Sequence, residues 1–219
     1  TWEAYGHPEW GFIKFGQTNP LKSNSGFQTF LLMTYGYFGK TSGLSNNDIL
    51  DRDYQEWYRA FGRNVTKFGD STGTFMEEIV AYGPSRYDIV AVYEATAIEH
   101  VENAVARYGS GYGSLQVYYP PATSLSDHPF CVLQADWVAP DEAEAAEMFL
   151  DFLTGPEMQE LALQHGFRPV DDRISLERPG SPFPRYAGNG VRLDLASQVE
   201  VPPGNVLNTM LELWARTVE

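Results

Sequence analysis

Two short turns rich in serine, threonine and glycine constrain this chain more than any other feature, because each lies where a helix is predicted to begin. The first spans residues 22–26 (KSNSG) and the second spans residues 70–74 (DSTGT). A helix N-terminus carries unpaired N–H groups and a partial positive charge, and small residues let a ligand approach those groups closely. One such turn would be an ordinary N-cap. Two of them predict a small polar or anionic ligand held between helix ends.

Predicted strands and helices alternate along the chain, which favours an α/β fold with a largely parallel sheet. Strands are predicted at residues 11–16, 64–68, 88–93, 115–119 and 130–134. Helices are predicted from residue 25 to between 36 and 39, at 48–61, from 74, at 96–107, at 141–153, from about 155 to 165, and from 204. Capping-box spacing predicts helix starts at Ser25, Thr74 and Thr96, and a further cap at Ser45 with Asp48. Ligands of such sheets bind at the C-terminal strand ends, beside helix N-termini. Both turns and the pair Tyr93 and Glu94 are expected at that edge.

Two of the predicted strands carry specific expectations. The segment 88–93 (DIVAVY) is continuously apolar after its first residue and is predicted to be the clearest buried strand. The chain has a single cysteine, Cys131, which excludes an intrachain disulfide and a Cys-based zinc site. Because its neighbours are apolar, we expect Cys131 to be an unreactive thiol in the core.

Charge and composition exclude several classes of function. The chain has 15 basic and 29 acidic residues, a net charge of −14, and 43% hydrophobic residues. The excess of acidic residues disfavours nucleic acid and anionic membranes as partners. The overall negative charge also repels an anionic ligand, so any anion site has to be formed by donors close to the ligand. The four histidines lack metal-ligand spacing, and no cofactor or metal is predicted. We also expect no membrane-spanning segment, because no run of apolar residues is long enough.

The second turn has an alternative interpretation as a nucleophile. Residues 69–73 (GDSTG) match the G-x-S-x-G pattern of serine hydrolases, in which Ser71 would attack the substrate. Acidic and histidine partners would come from Asp127, His128, Asp151 and His165. However, the preceding strand contains polar residues that suit a buried hydrolase strand poorly. For His128, which precedes a predicted strand, a structural hydrogen bond is favoured over a catalytic role.

Other segments resemble bacterial extracellular solute-binding proteins. Residues 149–159 (FLDFLTGPEMQ) and 166–170 (GFRPV) are similar to a helix and turn common in that family. Residues 16–26 and 87–94 resemble the turn and the returning strand of its molybdate-like branch. The resemblance covers roughly residues 10–170.

The resemblance implies a two-lobed α/β receptor of the type 2 periplasmic-binding-protein fold, with mixed, mostly parallel sheets flanked by helices. Such a receptor is extracytoplasmic and non-enzymatic, and it presents its solute to the membrane permease of an ABC-type importer. Residues 10–94 would form the second lobe and residues 95–219 the returning segment of the first lobe with the C-terminal helices. Family members carry more of the first lobe before residue 16, so that part is expected to be absent here.

By position, the resemblance implies a ligand site on the second lobe. The implied ligand-binding residues are Ser23, Asn24, Ser25, Gly26, Ser71, Thr72 and Tyr93. Hydroxyl and N–H donors suit an oxyanion, whereas Glu94 disfavours an anion and nearby aromatic residues allow a sugar or a similar solute. A serine hydrolase, and a sensory or scaffold domain that keeps the fold without transport, are the alternatives.

Overall fold

The computed structural model describes residues 1–108, 115–195 and 197–217, with the side chains of residues 66 and 105–108 left undescribed. The chain divides into two compact units. Unit 1 comprises Thr1–His100, Tyr119–Ser124 and Leu195–Glu219, and unit 2 comprises Val101–Tyr118 and Leu125–Asp194.

Helices and strands alternate through the first half of the chain, whereas helices dominate the second half. The strands are β1 (Phe15–Thr18), β2 (Val65–Gly69), β3 (Ile89–Val90), β4 (Ala122–Thr123) and β5 (Ser197–Gln198). The helices are α1 (Asn24–Phe38), α2 (Asn46–Leu50), α3 (Arg52–Gly62), α4 (Thr72–Tyr82), α5 (Glu94–Tyr108), α6 (Pro140–Thr154), α7 (Pro156–Gln164), α8 (Pro182–Arg185) and α9 (Gly204–Thr217). Within the described ranges, no helix is long and apolar enough to cross a membrane.

The sheet of unit 1 is parallel and has the strand order β2-β1-β3. Each of its strands leads into a helix at the same edge: β1 into α1, β2 into α4 and β3 into α5. This confirms the predicted α/β class and the predicted parallel pairing. A second, two-stranded parallel sheet joins β4 to β5.

The core of unit 1 is aromatic and lies among α1, α3 and α9. Phe30 and Tyr58 stack with ring centroids 4.3 Å apart, and Trp214 meets the ring of Phe68 edge-on at 5.7 Å. The buried hydroxyl of Tyr54 lies 2.6 Å from that of Thr34, so this phenol keeps a hydrogen-bond partner away from water. Burial also raises the pKa of Tyr54.

The helix starts differ from the predicted ones. We expected Ser25, Thr74 and Thr96 to cap their helices, but α1, α4 and α5 begin at residues 24, 72 and 94. Ser23 and Ser71 hold the N-cap positions of α1 and α4, in extended backbone conformations. The capping-box spacing was misleading for α1 and α4, because a serine earlier in the chain takes the N-cap position in each. By contrast, the predicted capping box at Ser45 is confirmed.

Two predicted strands do not form, and a third is shorter than predicted. In segment 88–93 only Ile89–Val90 forms strand, and Ile89 is 45% exposed because β3 lies at the edge of its sheet. Residues 115–119 and 130–134 have no strand structure. Cys131 is exposed, so the prediction of a core thiol is wrong. The physical reason is that a strand needs a neighbour, and none pairs with residues 130–134 in the part of the chain described.

In unit 2, the predicted helices over 141–153 and up to residue 165 are confirmed as α6 and α7. Residues 166–170 follow α7, and hydrogen bonds from Arg168 hold this segment in place. Its guanidinium donates to the carbonyl oxygens of Leu193 at 2.6 Å and Arg192 at 2.7 Å, and it lies 4.9 Å from the ring centre of Phe183. Arg168 therefore joins two segments distant in sequence.

Candidate functional site

The two hydroxyl-rich turns lie side by side at the C-terminal edge of the parallel sheet. In the ladder of β1 and β2, Thr18 pairs with Gly69. The first turn begins four residues after Thr18, and the second begins directly after Gly69. The Asn19 N–H donates to the Gly69 carbonyl at 2.8 Å. Lys22 Nζ of the first turn lies 3.2 Å from Asp70 Oδ1 of the second. The fold thus joins two turns that are nearly fifty residues apart in sequence.

A chain of three hydroxyl groups runs through the first turn. Ser25 Oγ lies 2.6 Å from Thr18 Oγ1 and 3.0 Å from Ser23 Oγ. Thr18 and Ser25 are buried, whereas Ser23 is half-exposed. Three hydroxyl hydrogens serve only two hydrogen bonds, which leaves one donor to spare. When Thr18 donates to Ser25 and Ser25 to Ser23, the spare hydrogen lies on Ser23, where a solute can reach it.

Gly26 brings the start of α1 against β1. A Cβ at this position would overlap the Thr18 carbonyl oxygen and lie 2.7 Å from its carbon and 2.9 Å from the Asn19 carbonyl carbon. No side chain fits there without moving the helix away from the strand. Gly26 therefore has a packing role that the sequence did not predict, and its direct contact with a ligand stays a prediction.

The second turn presents two hydroxyls, those of Ser71 and Thr72, at the start of α4. Ser71 is exposed and Thr72 is half-buried at the start of α4, and neither side chain makes a hydrogen bond within the described residues. A cavity of about 270 Å³ opens beside them. It is lined by Lys67, Phe68, Gly69, Asp70, Ser71, Thr74 and Phe75. Its volume lies just below the usual range of ligand pockets, about 300–1,000 Å³, so it has room only for a small solute.

The electrostatics of this edge differ from one helix to the next. The first turns of α1 and α4 contain no acidic residue, but Asp70 directly precedes the N-cap of α4, where it pairs with Lys22. The first turn of α5 carries Glu94, which accepts a hydrogen bond from the Tyr119 hydroxyl at 2.6 Å. Sequence reasoning missed Tyr119, because no local pattern signals a contact across twenty-five residues.

The remaining predicted site residues lie at the same edge. Asn24 is the exposed first residue of α1, and Tyr93 is half-buried just before α5, where its carbonyl accepts the Ala97 N–H at 2.9 Å. In the described ranges, no group of three histidine, cysteine or carboxylate side chains is placed to hold a metal ion.

The geometry of Ser71 does not support the nucleophile interpretation. A nucleophile elbow places its serine on a sharp, strained turn, whereas Ser71 has φ −142° and ψ 138°, ordinary extended values. No histidine hydrogen bonds to Ser71 among the residues described. In unit 2, the exposed His128 has φ 48°, and its Nδ1 donates to the Ser126 carbonyl at 2.8 Å. That contact matches the structural role favoured for His128.

An α/β unit with polar helix ends gathered at one edge of a parallel sheet is a common architecture for binding small solutes. The chain matches the model of the bacterial extracellular solute-binding protein family over residues 1–168, about three quarters of its length, and so it belongs to that family. No curated protein and no solved structure matches the chain.

Membership defines the protein in general terms. It is an extracellular solute-binding receptor, which implies an extracytoplasmic location, a small solute and an interaction with a transporter. Proteins of this family are typically not enzymes.

Proposed function

We propose that this protein captures a small polar or anionic solute for the membrane permease of an ABC-type importer. The observation that carries the proposal is the edge where the two turns meet. There, the hydroxyls of Ser71 and Thr72, which make no hydrogen bond within the described residues, and the hydroxyl of Ser23 lie at the N-terminal ends of α1 and α4. Family membership supports the same interpretation.

The proposal includes the arrangement that the sequence predicts, a type 2 receptor of the molybdate-like branch. Residues 10–94 form most of the lobe that carries the hydroxyl turns, α9 completes the core of that lobe, and the rest of residues 95–219 belongs mainly to the other lobe. Binding then closes the receptor because the solute makes more contacts in the closed state than in the open one. In this proposal Asn24, Ser25 and Tyr93 complete the set of binding residues.

The solute class follows from the balance of groups at the edge. Hydroxyls and backbone N–H groups at helix ends donate hydrogen bonds, which suits an oxyanion. Asp70 and Glu94 are acceptors, and the pairing of Asp70 with Lys22 offsets one of these two negative charges. A solute that both accepts and donates, such as a sugar or a hydrogen-bearing oxyanion, fits this mixture better than a fully ionised anion.

The proposal is tested by screening oxyanions, sugars and amino acids for a thermal shift of the chain, followed by calorimetry on each hit. Because the Ser71 hydroxyl makes no hydrogen bond within the described residues, Ser71→Ala should leave the melting temperature without solute unchanged. It should weaken binding by about 1 kcal/mol, roughly fivefold, the value of one hydrogen bond.

Ser45→Ala is the matched control. Its hydroxyl donates to Asp48 at 2.9 Å in the capping box of α2. The substitution should therefore cost about 1 kcal/mol of stability and leave solute affinity unchanged. Equal affinity of Ser71→Ala and the unaltered chain would contradict the proposed site. Covalent labelling of Ser71 by a fluorophosphonate would favour the hydrolase, and failure of every solute would favour a sensory or scaffold role.

A further inference from the structure

The cavity beside the second turn is lined by side chains of opposite charge. Lys67 lies on β2 and Asp70 directly follows that strand, and both line the cavity of about 270 Å³. Its wall also includes Phe75, whose buried ring packs against Gly69: a Cβ at Gly69 would lie 2.8 Å from Phe75 Cε2. The cavity therefore combines a cation, a carboxylate and an apolar surface in one small volume.

The alternation of side chains along β2 directs Lys67 towards this cavity. Lys67 and Gly69 are two residues apart in the strand, so they face the same side of the sheet. That side is covered by α4, where Lys67 Nζ lies 3.4 Å from Glu78 Oε1. An ammonium has three donor hydrogens, so this single long contact leaves donors of Lys67 for a solute.

The start of α4 places hydrogen-bond donors next to the Asp70 carboxylate. The first N–H groups of a helix have no partner within it. In the part of the chain described, the side chain of the N-cap residue Ser71 makes no hydrogen bond to them. Asp70 immediately precedes Ser71, and both residues line the cavity. A carboxylate and a set of N–H donors are therefore neighbours at the cavity wall.

These neighbouring opposite charges select a class of solute. Asp70 repels an anion that Lys67 and the N–H groups of α4 would otherwise attract. An uncharged sugar uses neither charge. In an α-amino acid one carbon atom joins the ammonium to the carboxylate, so the zwitterion presents opposite charges side by side. Asp70 then attracts the solute instead of repelling it.

The existing ion pair of Asp70 is compatible with such a solute. Lys22 Nζ lies 3.2 Å from Asp70 Oδ1, and the two side chains are 61% and 75% exposed. Ion pairs as exposed as this one contribute little free energy, because water and salt screen them. A solute ammonium can therefore share the Asp70 carboxylate with Lys22, or replace Lys22, at little cost.

We propose that the solute is a small zwitterion, an α-amino acid with an apolar side chain, and that Asp70 and Lys67 determine this specificity. The Asp70 carboxylate accepts hydrogen bonds from the ammonium, while Lys67 and the first N–H groups of α4 donate to the carboxylate. The apolar side chain lies against Phe75, in a cavity with room only for a small group. This inference rests on the proposed function, because it names the solute class of the same site.

Calorimetry with three probes tests the assignment: L-valine, 3-methylbutanoate, which lacks the ammonium, and isobutylamine, which lacks the carboxylate. L-valine should bind about tenfold more tightly than either analogue, because each analogue loses a charge-assisted hydrogen bond. Asp70→Asn should weaken binding of L-valine about tenfold without weakening that of 3-methylbutanoate. Lys67→Gln should weaken binding of L-valine and 3-methylbutanoate alike, and leave that of isobutylamine unchanged.

Lys40→Gln and Asp53→Asn are matched controls, because they remove the same charges from residues that do not line the cavity. Both should bind L-valine as the unaltered chain does. Equal affinity of Asp70→Asn and the unaltered chain for L-valine would overturn the inference. Binding of sulfate or a sugar, without binding of L-valine, would overturn it and leave the proposed function intact. Failure of every solute to bind would overturn both.

Discussion

Replacing Gly26 with alanine tests the packing that holds the first turn at the edge of the sheet. The new methyl group would overlap the Thr18 carbonyl oxygen and lie 2.7 Å from its carbon. Both neighbours are backbone atoms, so they cannot rotate away. The start of α1 therefore has to move by roughly 1 Å to restore ordinary van der Waals contact. That displacement also stretches the 2.6 Å hydrogen bond between Thr18 and Ser25.

The magnitude follows from three contributions. Overpacking costs about 1–3 kcal/mol, and weakening the buried hydrogen bond costs about 1 kcal/mol. Alanine is favoured over glycine inside a helix by about 1 kcal/mol, which offsets part of the loss. We therefore expect Gly26→Ala to lower the free energy of unfolding by about 2 kcal/mol. Solute affinity should fall as well, because Ser23 moves with the helix.

Gly36→Ala is the matched control, because it makes the same substitution in the same helix. A Cβ at Gly36 would have no atom within 4 Å. This variant should gain about 1 kcal/mol from helix propensity alone. Urea unfolding, with m-values that stay constant, measures both changes. The two variants should differ in their free energy of unfolding by about 3 kcal/mol, because one loses stability and the other gains it. If Gly26→Ala were as stable as the unaltered chain, the close approach of α1 to β1 would be refuted.

Two further predictions concern other parts of the chain. Arg168→Lys removes the guanidinium group that donates to the carbonyl oxygens of residues 192–193. The free energy of unfolding in urea should therefore fall by about 2 kcal/mol. An unchanged urea midpoint would contradict this role of Arg168. The Tyr87 hydroxyl and, more weakly, Lys67 hold the pKa of Glu78 below its ordinary value. The carboxylate therefore stabilises the fold above its ordinary pKa of about 4.5 and loses that effect as pH falls through the folded-state value. Glu78→Gln should be less stable than the unaltered chain at pH 7 and nearly equal to it at low pH. The free energy of unfolding of both proteins is measured as the pH is lowered, and a difference between them that stays constant would contradict this role of Glu78.

Local patterns in the sequence predicted much of the fold. The apolar spacing of α6 and the turn after α7 predicted those elements closely, because an amphipathic helix is specified by its own residues. Ser45 and Asp48 likewise predicted their capping box. The alternation of strands and helices was sufficient for the α/β class, and the positions of the two turns were sufficient to place them at one edge of the sheet.

Local patterns failed where a neighbour decides the outcome. The apolar segment 130–134 has the composition of a strand, but without a partner strand it forms none, and Cys131 is left exposed. Similarly, segment 88–93 is shortened and exposed because β3 lies at a sheet edge. Hydrogen bonding between strands is non-local, so neither result could be read from the segments themselves.

The sequence alone determined that hydroxyl-rich turns would open two helices, because serine, threonine and glycine favour helix N-termini whatever the surroundings. Only the tertiary structure decided how those hydroxyls are used. Ser25 is bonded to Thr18 and Ser23, whereas Ser71 and Thr72 have no partner among the described residues. The difference arises because Gly26 lets α1 approach β1 closely enough to bury its first turn, while α4 leaves its first residues open.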